Sequence, residues 1–186
     1  LADGTPQWWE FRLDLFDAFK DLLPLLAAAF PDRQIILRPH PAEAHETWQR
    51  AAGGAPNVHV VHEGPVYPWI MASAVAIHNG CTTGLESYLM DHQVMVYQPI
   101  VSAAFDDTLA NRVSTPVYSS DELIAALRSL LAGEQPSAPS AQMRAEVEEF
   151  FGPLDGVLAS ERIEAIIADE GESWFGRPPA VSARAA

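Results

Sequence analysis

Cysteine occurs once in these 186 residues, at position 81. One thiol closes no intramolecular disulfide and supplies no Cys-pair zinc site, so an intracellular setting is the expectation. Positive charge is scarce too: 11 Lys and Arg face 25 Asp and Glu, a formal net charge of -14. That balance argues against nucleic acid or an anionic membrane as the main partner, since both attract a basic face. It does not exclude a small anion, because charges beyond a screening length of about 8 Å count little against a few donors in contact. No apolar run approaches membrane-spanning length. The opening Leu1-Ala2-Asp3-Gly4 lacks both the basic region of a signal peptide and an initiator Met, so an excised cytoplasmic fragment is expected. The dinucleotide fingerprint, the Walker lysine loop and the G-x-S-x-G elbow are absent. His45-Glu46-Thr47-Trp48 begins like a zinc-protease helix, but Gln49 stands where the second His is needed.

What is present is an alternation of short apolar runs with helical periodicity. Trp9, Leu13, Phe16, Phe19, Leu22 and Leu23 recur at helical spacing, predicting a helix that ends near Pro24 or continues kinked to Phe30. Strands are predicted at Ile35 to Leu37, Asn57 to Val61, Ala74 to Ile77 and Val94 to Tyr97, with a weaker fifth near Val113 to Tyr118. Helices are expected at Ala42 to Ala52, Pro68 to Ser73 and Gly84 to Met90, then from Leu123 to Leu131 with Asp121 as N-cap and Gly133 as stop. The pattern predicts an α/β fold: a Rossmann-like parallel sheet flanked by helices. A Pro- and Ser-rich loop, Gly133 to Ser140, precedes an extra C-terminal helical pair, Ala141 to Phe151 and Ser160 to Ala168. The expected organisation is one domain over 1–170 and a mobile tail over 171–186.

Two strand-to-helix turns carry the chemistry. In Arg38-Pro39-His40-Pro41, the strand delivers Arg38 and His40 to the sheet's carboxyl edge, and Pro41 suits the first turn of a helix. A phosphate there would meet free amides, a helix dipole and an imidazole donor. The plainer alternative pairs Arg38 with a surface carboxylate and makes His40 a helix cap. In His78-Asn79-Gly80-Cys81-Thr82-Thr83-Gly84-Leu85-Glu86, two glycines bracket two hydroxyls, so Asn79, Gly80, Cys81, Thr82 and Thr83 form a candidate anion cradle. Glu86 is either an acceptor for a ribose diol or the capping-box partner of Thr83, because T-x-x-E has that spacing. Between the turns, the loop with Glu63 and Gly64 is placed to read a base through its backbone. Trp69 reads as core rather than as a stacking platform.

From Arg38 to Pro99 the pattern R-P-H-P-x-E, E-G-P-V-x-P-W-I, H-N-G-C-T-T-G-L-E and Y-x-P resembles the carboxyl-terminal half of bacterial surface-carbohydrate biosynthesis proteins. These are similar to glycosyltransferases of the two-Rossmann-domain GT-B type. Gly156 to Ile163 resembles that group's final helix, and His40-Pro41 with Thr82-Thr83 are similar to the motifs of transferases that use CMP-sialic acid or CMP-Kdo. The resemblance implies a nucleotide-sugar donor held by its phosphate at His40, Thr82 and Thr83, and by its ribose near Glu86. Arg38 and the Glu63-Gly64 loop are its weaker assignments. It also implies no metal or other cofactor, and a missing N-terminal acceptor domain that would leave this half inactive alone. The location it implies is cytoplasmic, or peripheral at the inner membrane in the full-length protein. Other readings are a UDP-N-acetylglucosamine 2-epimerase-like or CDP-glycerol phosphotransferase-like domain, and a non-catalytic interaction domain in which side chains fill the two turns.

Overall fold

The computed structural model describes residues 8–106, 108–134, 140–154 and 156–175. The chain divides after Met143 into two compact units. The first is α/β, with five parallel strands in two small sheets.

Helix α1 (Trp8–Ala29) turns Phe11, Leu15, Leu22, Leu23 and Leu26 inward and continues past Pro24. An internal proline costs a helix about 3 kcal/mol. Burying leucines contributes about 1.5–3 kcal/mol each, and the three flanking Pro24 are no more than 6% exposed, so packing outweighs the break. Strands β1 (Ile35–Leu37) and β2 (Val58–Val60) pair in parallel with Ile35 opposite Val58, and α2 (His45–Ala51) joins them. After α3 (Tyr67–Ala72) comes the second sheet. Its strands β3 (Ala76–His78), β4 (Val94–Tyr97) and β5 (Thr115–Val117) are joined by α4 (Thr82–Leu89) and α5 (Leu109–Arg112). Every residue of β4 is buried, as its unbroken apolar run requires of a central parallel strand. Pro116 lies in β5, which is an edge strand, where its missing N–H costs no ladder bond.

Ile35 packs against both apolar clusters. One gathers Leu22, Leu26, Met95, Tyr97 and Leu123 with Val75 and Ile77 around it; the other gathers Leu23, Trp48 and Val58. Ile35, like Phe19 of α1, touches both, which sets β1 beside the core of β3 and β4, although among the described residues no ladder joins β1 to β3. The Asn57 amide donates toward the carbonyls of Ala27, Phe30 and Arg33, tying the end of α1 to the start of the sheet. Helix α6 (Ser120–Leu131) begins earlier than Asp121 would set it. Ser119 is the N-cap and accepts from the Glu122 amide, while Glu122 reaches back to the Tyr118 amide. The serine three residues before a glutamate won over the aspartate.

The second unit holds most of α7 (Ala141–Phe151) and all of α8 (Ala159–Phe175). The helix thus continues over the first five residues of the expected tail, and 176–186 lie outside the described residues. Among the described residues no helix is long and apolar enough to cross a membrane.

Candidate functional site

Parallel strands point their carboxyl ends one way within each sheet, so the loops after β1 and β2 share one edge and those after β3, β4 and β5 another. In open α/β sheets, ligands bind at such edges.

The turn after β1 differs from its expected form. The Glu43 amide donates to the His40 carbonyl (2.8 Å), closing a β-turn with Pro41 at its second position. Helix α2 therefore starts at His45 rather than Ala42, and its dipole does not begin at Pro41. The cause is Glu43, whose Oε2 accepts from the His40 amide (3.0 Å) and from the indole of buried Trp48 (2.9 Å). The exposed His40 ring accepts at Nδ1 from the Ala42 amide (3.1 Å). Because that nitrogen is an acceptor, the proton sits on Nε2, which is left as a donor.

The Arg38 guanidinium is held by main-chain carbonyls rather than by a carboxylate. Its Nη1 donates to the Glu63 carbonyl (3.0 Å) and its Nη2 to the Gly64 carbonyl (2.9 Å). The guanidinium lies 5.6 Å from the centre of the Trp69 ring, and the Trp69 indole also donates to the Glu63 carbonyl. The structure thus joins Arg38 directly to Glu63 and Gly64.

The turn after β3 is anchored from beneath. The Asn79 side chain donates to the Tyr97 carbonyl (2.8 Å), and the Gly80 amide donates to Asn111 Oδ1 (2.8 Å). Gly80 has φ +57, which glycine adopts freely. Helix α4 starts at Thr82, two residues before the expected Gly84, with Cys81 as an N-cap whose side chain makes no capping bond. The Cys81 thiol instead meets Thr83 Oγ1 (3.3 Å). With Cys81 as N-cap, Glu86 falls beyond the position that a capping box requires, so that alternative for Glu86 is removed. The Thr82 and Thr83 amides open the helix and have no intrahelical acceptor. Thr82, Thr83 and Glu86 share one helix face, being spaced i, i+4 and i, i+3. Glu86 Oε2 is buried there without a hydrogen-bond partner.

Gly84 serves packing rather than ligand approach. A Cβ on it would sit 2.1 Å from Nε2 of His78. That ring is buried, and burial lowers its pKa from 6.5 to about 4. Ser114 Oγ donates to the Ala110 carbonyl (2.7 Å) and so receives the His78 Nε2 proton (2.7 Å). Nδ1 of this ring has no partner.

Three residues at this edge escaped the sequence reading. Asn111 fills the Gly80 amide from 31 residues away. Asp106 is buried with Oδ1 unpartnered, Oδ2 accepting from the Ser102 amide and its carbonyl accepting from Asn111. Arg12 of α1 holds Nη1 3.9 Å from where a Gly80 Cβ would be. No local pattern marks these partners, since each arrives through the tertiary fold. A shallow groove of about 360 Å³ lies elsewhere, at the amino end of β1 between Phe30, Arg33, Arg128 and Leu131.

Comparison with protein-family models, curated proteins and solved structures finds no match. Among the described residues no group of three or more His, Cys, Asp or Glu is placed to hold a metal ion.

Proposed function

We propose that the chain is the donor-nucleotide-binding domain of a glycosyltransferase of bacterial surface polysaccharide biosynthesis, one that uses a CMP-activated sugar such as Kdo. One observation carries the reading: α4 opens with the amides and hydroxyls of Thr82 and Thr83, and Glu86, one turn further along the same helix, has a side-chain oxygen with no hydrogen-bond partner. A phosphoryl group needs donors of the first kind, and a ribose diol needs an acceptor of the second. His40 Nε2–H is a further donor at the end of β1. Bound this way, the phosphate of a CMP donor is neutralised by protein groups, and the acceptor and the catalytic carboxylate come from a second domain.

A second reading, a non-catalytic interaction domain, draws on the side chains already seated in the turns: Glu43 on the His40 amide and Asn111 on the Gly80 amide. The Thr82 and Thr83 amides are left out of both.

Calorimetry with CMP, CDP, UDP and GDP tests the choice. The donor-domain reading expects CMP to bind, and His40→Ala and Thr82→Ala each to weaken it about tenfold while the melting temperature holds. No binding of any nucleotide, or binding indifferent to both substitutions, overturns it in favour of the interaction domain. UDP bound far more tightly than CMP points to the epimerase-like alternative, and CDP-glycerol bound above CMP to the phosphotransferase-like one.

A further inference from the structure

Arg38 holds two successive carbonyls of one loop, at 3.0 Å and 2.9 Å, and the Trp69 indole shares the first of them at 3.2 Å. Every described peptide bond is trans. In a trans peptide the N–H points opposite to the C=O, so the Gly64 N–H is directed away from the guanidinium. The next peptide ends in Pro65 and has no N–H at all. The Glu63 and Gly64 carbonyls are therefore both occupied, and the Gly64 amide is turned away from the groups that hold them. Gly64 has φ +69, a backbone that other side chains rarely adopt.

We infer that Arg38 is a positioning residue that holds back the Glu63 and Gly64 carbonyls so that the Gly64 amide meets the acceptor edge of a nucleobase, that amide giving the hydrogen bond and the Pro65 ring the apolar contact. The inference rests on the nucleotide-binding reading above and extends it from the phosphate to the base. The loop follows β2, the strand paired in parallel with β1, so it leaves the same sheet edge as the turn that carries His40. Arg38 then acts on base affinity without touching the phosphate. A glycine-proline loop without its guanidinium would expose two carbonyls, and an acceptor edge would meet like partial charge.

The test compares CMP with ribose 5-phosphate, which keeps the phosphate and sugar and lacks the base, by calorimetry on the wild-type chain, Arg38→Ala and Trp69→Phe. Wild type is expected to bind CMP more tightly than ribose 5-phosphate. Arg38→Ala should weaken CMP about tenfold and leave ribose 5-phosphate unchanged. Trp69→Phe removes only the indole donor and keeps the ring, so it should give a smaller loss of the same selectivity, and it decides the matter should Arg38→Ala fail to fold. Equal weakening of both ligands, or unchanged CMP affinity in a folded variant, overturns the inference while the phosphate site stands. A wild type that binds ribose 5-phosphate as tightly as CMP also overturns it alone. Binding of neither ligand overturns the nucleotide reading together with it.

Discussion

The turns after β1 and β3 begin alike, each an apolar strand running into turn-forming residues, prolines around His40 in the first and Gly80 before two threonines in the second, yet they are stabilised in opposite ways. The first closes on itself: Glu43, three residues away, takes the His40 amide, and the His40 ring takes the Ala42 amide. The second is fixed from a distance, by Tyr97, Asn111 and the His78 ring under Gly84. A turn held by its own neighbours uses up its main-chain donors. A turn held from below keeps its first helical amides facing out, so similar sequence punctuation yields different chemical capacity.

The largest way to break this contrast is Gly84→Ala. The added methyl would enter the His78 ring, and overpacking of that kind costs about 3 kcal/mol. Urea denaturation should show the loss, and a double substitution that also truncates His78 should recover part of it, marking the pair as coupled.

Acid comes next. His78 has a folded-state pKa of about 4 against 6.5 when unfolded, so between those values the unfolded chain binds the extra proton. Its contribution to stability is complete above pH 6.5 and falls as the pH drops toward 4, the loss reaching about 3 kcal/mol by the end of that window. Denaturation midpoints at pH 7 and pH 4 should therefore separate more for wild type than for His78→Gln, whose remaining pH dependence comes from the carboxylates common to both.

The smallest effect falls on the first turn. Glu43→Ala strands the indole N–H of buried Trp48 and frees the His40 amide, costing about 1–2 kcal/mol in a thermal or urea melt. The same loss at Gly84 and Glu43 would erase the distinction between the two turns.

Much of the scaffold was readable in advance because its signals are local. Ile35 to Leu37 and Val94 to Tyr97 are strands with the bounds that their apolar runs predict, and Ala141 to Phe151 is the helix that follows the Pro- and Ser-rich loop. Helix starts were less legible. T-x-x-E imitates a capping box at Thr83, whereas α4 starts on Cys81 with no side-chain cap; Pro41 imitates a first helical residue, whereas Glu43 draws it into a β-turn. The site was legible as a set of residue types at strand ends but not as a set of partners. Arg38 reaches Gly64 across 26 positions and His78 reaches Ser114 across 36, and spacing in sequence carries no trace of such pairs.

The two asparagines beneath the second turn have one more consequence. Asn79 bolts it to the end of the central strand and Asn111 to the following helix, so α4 keeps its bearing whether or not anything is bound. A guest arriving at Thr82 and Thr83 meets donors already aimed, and the ordering entropy that a floppy loop would surrender on capture was given up when the chain folded.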